Sequence, residues 1–106
     1  MFIPLREDDP FYHVVAQWVA EEFALEHGGS TATTAFTGLY VSQTTGRIIR
    51  DQVQIIFTDV AVDLEDIIAR EELITTLDLF RADIERLLPD EEEIWVTVSP
   101  IWIVRR

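Results

Sequence analysis

His13 and His27 are the only two histidines of this chain, and they stand fourteen residues apart in one amphipathic stretch. Imidazole is the side chain best suited to proton transfer near neutral pH and to metal ligation. A helix spreads these two over about 21 Å of its axis, too far to share one ion, so both are expected to be structural. His27 falls in the last turn, where the helix dipole favours a cation. Glu22 shares a helical angle with Phe11, Val15, Trp18 and Val19. A carboxylate held among apolar groups is the kind that serves as a general acid or base; Glu26, one turn on, points instead to an exit into water. Glu22, His13 and Tyr40 are the side chains an enzymatic reading would draw on, and no assembled catalytic set is expected.

The remaining polar clusters read as structure. Glu7-Asp8-Asp9, Glu65-Asp66 and Asp90-Glu91-Glu92-Glu93 lack the interposed glycine of a calcium loop. Helix caps and solvated turns account for them, and no metal or cofactor is expected. Thr31, Thr33, Thr34, Thr37, Thr44, Thr45 and Ser99 offer hydroxyls, none of them in a nucleophile elbow or a phosphate loop. Gly28-Gly29-Ser30 follows a helix and so reads as its C-terminal cap. Arg47 and Arg50 fall on opposite faces of a regular strand and form no anion clamp.

Composition narrows the function classes. The chain has 106 residues, a net charge of −12 from 20 acids and 8 bases, and 48% hydrophobic residues. That suits one domain with one core (residues 1–106) and excludes a disordered class. Such a charge repels phosphate backbones and anionic membranes, so direct nucleic-acid binding and membrane binding are disfavoured. All bases are arginine, and lysine, asparagine and cysteine are absent. Without cysteine there is no disulfide, thiol nucleophile or thiolate metal site. No apolar run reaches the ~20 residues of a membrane span, and the N-terminal residues do not read as a signal peptide. A cytoplasmic location is the expectation.

These residues must be held by a small set of elements. Phe2-Ile3-Pro4-Leu5 suits a short first strand, with Pro4 at an edge. Asp9 and Pro10 open a helix that runs to His27 and stops at Gly28-Gly29. Its apolar arc holds Phe11, Val14, Val15, Trp18, Val19, Phe23 and Leu25. The opposite side, with His13, Ala16, Gln17, Ala20, Ala24 and His27, is nearly uncharged. Residues 62–88 show a phase break: Leu73, Leu77, Phe80, Ile84, Leu87 and Leu88 share one arc, while Leu64, Ile67 and Ile68 point away from it. A short turn over 63–70 and a main helix from 71 or 72 to 88 are expected, ended by Pro89. Residues 94–99 read as a closing strand, followed by Pro100 and an apolar tail, Ile101-Trp102-Ile103-Val104.

Between the helices lies the clearest signal, a hairpin with a polar tip at Ser42-Gln43-Thr44-Thr45-Gly46-Arg47. Its returning arm alternates Ile49, Asp51, Val53, Ile55 and Phe57 against Ile48, Arg50, Gln52 and Gln54, the pattern of a strand with one dry and one wet face. A three-residue loop with Gly46 as the bulge places Phe36 and Tyr40 beside Arg50, Gln52 and Gln54 on an open face; two- or four-residue loops would put them with Ile49 and Phe57. The resulting order is βαββαβ, an α+β ferredoxin-like sandwich with a four-stranded antiparallel sheet and two helices on one face.

Gly38-Leu39-Tyr40, Gly46-Arg47-Ile48-Ile49-Arg50-Asp51 and Val98-Ser99-Pro100 resemble a family of small uncharacterised ferredoxin-like proteins. That family has a glycine-aromatic strand, a Gly-Arg-x-x-Arg-acid hairpin, and a closing strand with an apolar-Ser/Thr-Pro step. The resemblance spans residues 28–104 and implies the fold, with no activity to carry over.

The leading functional expectation is a non-catalytic binding or structural module that forms a homodimer. Its contacts would come from the tail (Ile101, Trp102, Ile103 and Val104) and from Phe36 and Tyr40. Two alternatives stand beside it: a cofactor-independent enzyme with a cavity between sheet and helices, and an acidic decoy that binds a nucleic-acid-binding protein.

Overall fold

Six elements form in chain order: β1 (Phe2–Leu5), α1 (Phe11–His27), β2 (Thr31–Ala32), β3 (Phe36–Val41), β4 (Ile48–Phe57) and α2 (Ile67–Leu87). The computed structural model describes residues 1–102 and 104. Ile103, named above as a contact residue, lies outside the described residues. The architecture is α+β, a four-stranded antiparallel sheet with two helices.

Helix α1 has the expected bounds. Asp9 Oδ1 accepts from the Phe11 N–H at 3.1 Å, and Gly28 closes the helix at φ 87°, its N–H bonded to Ala24 O at 2.9 Å. Only glycine takes that left-handed backbone without steric cost. The buried line is Tyr12, Val15, Ala16, Val19 and Phe23, rotated from the arc expected. Phe11, Val14 and Leu25 face solvent, because α2 packs beside the helix, with Trp18 and Phe80 ring centroids 5.2 Å apart.

Helix α2 corrects the expected break. It is continuous from Ile67, since Asp66 caps it by accepting from the Ile68 and Ala69 N–H groups. A good cap holds a first turn that buries little. The phase shift survives as exposure: Ile67 and Ile68 face water, while Ile84 is fully buried.

In the sheet, β4 is central. β1 pairs with one side, Phe2 opposite Ile55 and Leu5 opposite Gln52. β3 and β2 pair with the other side. Between them the register shifts by one, so Thr34 and Ala35 together oppose Gln54. This is a β-bulge, which splits what the sequence suggests as one strand. Side chains staple it: Gln54 Nε2 donates to Thr33 O at 2.9 Å, and Ile55 N donates to Thr33 Oγ1 at 3.1 Å.

The expected closing strand is also corrected. Residues 94–99 make one antiparallel bridge, in which the Phe2 N–H donates to Trp95 O at 2.9 Å. Pro4 is the next residue of β1 to face that segment, and it has no N–H to continue the ladder. The observed order is therefore β1 α1 β2 β3 β4 α2.

The hairpin loop has four residues. Ser42 N donates to Arg47 O at 2.9 Å and Gly46 N to Ser42 O at 3.0 Å, with Gly46 at φ 71°. The pairs Phe36–Val53 and Tyr40–Ile49 follow, so the expected three-residue register is overturned. Phe36 and Tyr40 join the Ile49–Val53 side of the sheet, not the side of Arg50, Gln52 and Gln54.

The core is one cluster of Met1, Ile3, Ile56 and Ile94 with Tyr12, Val15, Val19 and Phe23 of α1 and Ile84 and Leu88 from α2 and its cap. Both helices thus share the side of the sheet that carries Met1, Ile3, Leu5 and Ile56. The alternating set Ile49, Val53, Ile55 and Phe57, expected to be dry, lies on the opposite, uncovered side.

Candidate functional site

The uncovered side of the sheet is assembled from period-two alternation. β4 contributes Ile49, Asp51, Val53, Ile55 and Phe57. The register sets Phe2 and Pro4 on one flank and Phe36, Gly38 and Tyr40 on the other, with Trp95 beyond Phe2. Phe36 and Phe57 are each 49% exposed and Trp95 59%. At Gly38 an added Cβ would stand 3.3 Å from Val53 Cγ2, so the glycine lets Val53 lie flat across the strands.

Asp51 is the one charged side chain that β1, β3 and β4 place on this face, and the Tyr40 hydroxyl donates to its Oδ2. Burial and the Asp51 hydrogen bond push the Tyr40 phenol up from its ordinary value. It therefore stays protonated at neutral pH and cannot act as a base. The result is an apolar patch with one acid, on a chain of net charge −12; Arg6, just past β1, stands near Asp51 at its rim. Patches of this kind mark association surfaces.

The three enzymatic candidates do not converge. His13 is exposed and Glu22 half-buried on α1, in the helical layer, whereas Tyr40 lies across the sheet from them. A cavity of about 680 Å³ opens between the sheet, both helices and the C-terminal segment, lined by Phe23, His27, Phe57, Leu73, Leu77 and Trp102 among others. None of the three candidates lines it. No group of three metal-ligating side chains occurs among the described residues. Of the expected tail contacts, Ile101 is half-exposed, and Trp102 and Val104 are almost wholly exposed.

Two carboxylates have roles that the sequence did not suggest. Glu91 Oε1 accepts from Arg6 Nε at 3.0 Å, Arg6 Nη2 at 2.8 Å and the Tyr12 hydroxyl at 3.0 Å. Burial and Glu91 push the Tyr12 phenol up to about 12. Glu92 clasps the hairpin tip, accepting from Ser42 Oγ at 2.6 Å, Thr44 Oγ1 at 2.7 Å and Gln43 N at 3.1 Å. Those bonds hold the Glu92 carboxyl below its ordinary value of 4.5.

A carboxyl lowered on folding stabilises the fold above its unfolded pKa, and that contribution is lost as pH falls through the folded value. The Gln43 and Thr44 amide resonances are therefore expected to titrate together below pH 4.5, and Glu92→Gln to abolish the step. Amide shifts that stay flat in the parent protein would show that the clasp is not formed.

Comparison with family models, with curated proteins and with solved structures finds no match for this chain.

Proposed function

We propose that this chain is a non-catalytic, homo-oligomeric binding or structural module, in which the uncovered sheet face packs on the same face of a second copy. The observation that carries the proposal is the uncovered apolar face, on which Phe36 and Phe57 are each 49% exposed and Trp95 59%. The chain exposes 7988 Å², against roughly 6,100 Å² for a compact monomer of its mass. Its radius of gyration, 15.1 Å, also exceeds the ~13 Å of a compact domain of this length. The tail, with Trp102 and Val104 each 92% exposed, holds part of that surplus, and the uncovered face holds another part.

A second copy suits this face on electrostatic grounds. Two chains of charge −12 repel, and they can approach closely only where charge is sparse. Here Asp51 is the lone acid and is hydrogen-bonded to Tyr40. Two such faces stack as aligned sheets about 10 Å apart.

A ferredoxin-like topology belongs to the same proposal. It is supported by the sheet order, with the Trp95 segment beside β1, then β4, then the bulged β2–β3 edge. A cytoplasmic location is also part of it, supported by a composition that uses no disulfide. Among the described residues no helix is long and apolar enough to cross a membrane.

Light scattering on the purified protein at micromolar concentration tests the proposal. A mass of at least twice 12.2 kDa is expected, and a 12.2 kDa particle would overturn it.

A further inference from the structure

β3 forms the outer edge of the sheet, and its backbone polarity follows from the loop. The Ser42 N–H donates to Arg47 O, so the even-numbered residues of β3 direct their N–H and C=O groups at β4. Those of Thr37, Leu39 and Val41 point outward, and among the described residues they have no backbone partner. Natural edges of this kind are blunted by charge, proline, a bulge or a covering loop. The bulge at Thr34 and Ala35 blunts only the β2 half. Phe36-Thr37-Gly38-Leu39-Tyr40-Val41 carries no charge and no proline.

A second feature points the same way. Leu39 is 61% exposed, Val41 57%, and Ile48, opposite Val41, 74%. These three lie on the helix-bearing side of the sheet but beyond the helices. Packing of the uncovered face leaves them in water.

We infer that the β3 edge is a second self-association site, which pairs antiparallel with β3 of another copy about a twofold axis at Leu39. That register sets the two copies of Leu39 opposite each other, and Thr37 opposite Val41. It satisfies the three outward N–H groups and gathers Leu39, Val41 and Ile48 of both copies into one apolar cluster. A second copy is the matching occupant because a twofold edge contact is self-complementary and because like-charged chains meet here across an uncharged strand. The inference rests on the homo-oligomer reading for its occupant and adds to it a separate interface.

Leu39→Pro removes an outward N–H and leaves the β3–β4 ladder intact, and the preceding Gly38 accepts the extended backbone that proline demands. The parent protein is expected to form an assembly larger than a dimer. Leu39→Pro is expected to leave a dimer held by the sheet face, and Val53→Glu a dimer held by the edge. The double variant is expected at 12.2 kDa. Leu39→Pro with an unchanged parental mass would overturn the edge contact. Val53→Glu with an unchanged mass would overturn the face contact alone. Hydrogen exchange on the parent protein gives a reading without any variant. Protected Leu39 and Val41 amides support edge pairing, and exchange at unstructured-chain rates contradicts it.

Discussion

Val53→Glu is expected to lower the mass of the proposed assembly and to leave the fold intact. Val53 sits at the centre of the uncovered face, in one row with Pro4 and Phe36. It is half-buried already in the single chain and would be fully covered by a second copy. A glutamate there meets its own twofold mate in a dry interface, next to Asp51 on the same strand. Like charges so placed cost several kcal/mol, and about 3 kcal/mol corresponds to ~100-fold in the dissociation constant. The side chain stands on the side of the sheet away from the helices and is not part of the core cluster. Far-ultraviolet circular dichroism should therefore match the parent. A variant that keeps the parental mass would show that this face is not the contact.

Glu91→Ala destabilises the monomer fold by about 3 kcal/mol. The carboxylate is 5% exposed and joins three elements, through Arg6 at the end of β1, Tyr12 on α1 and the segment after α2. Truncation leaves the buried Tyr12 hydroxyl without its acceptor and Arg6 without its ion pair. Arg6 also lies over the Tyr12 ring, 5.2 Å from its centroid, and loses part of its anchoring. Because Arg6 is partly exposed, its share is screened, and most of the loss comes from Tyr12 and the desolvated site. Glu91→Gln keeps an acceptor and should cost about 1 kcal/mol. Urea unfolding at fixed protein concentration measures both, since association itself shifts apparent stability. A cost below ~0.5 kcal/mol for Glu91→Ala would contradict the tie.

Much of the architecture was legible because its signals are local. Gly28-Gly29 and the Asp9-Pro10 start bound α1, and alternation over residues 48–57 marks β4. What failed was global. Periodicity sorts Ile49, Val53, Ile55 and Phe57 onto one face but cannot say which face the helices cover. The helices chose the other, where Ile56 meets Met1 and Ile3. The apolar set was then left open, a pattern that makes sense if another chain covers it.

The loop length was ambiguous because Gly46 serves a four-residue loop as readily as a bulge, and one residue of register exchanges the two faces. Glu91 and Glu92 read as solvated acids because their partners stand 48 to 85 residues away in sequence. The lost closing strand has a simpler cause, since Pro4 supplies no N–H to the segment beside β1. His13, Glu22 and Tyr40 have side chains suited to proton transfer, but α1 packs on one side of the sheet and Tyr40 lies on the other, so they stay apart.

Intermolecular nuclear Overhauser effects, recorded on an equal mixture of isotope-labelled and unlabelled protein, address the covered face most directly. Contacts from Phe36, Val53 and Ile55 of labelled chains to protons of unlabelled chains are expected. An assembly in which those three residues show contacts only within their own chain would contradict the face-to-face packing.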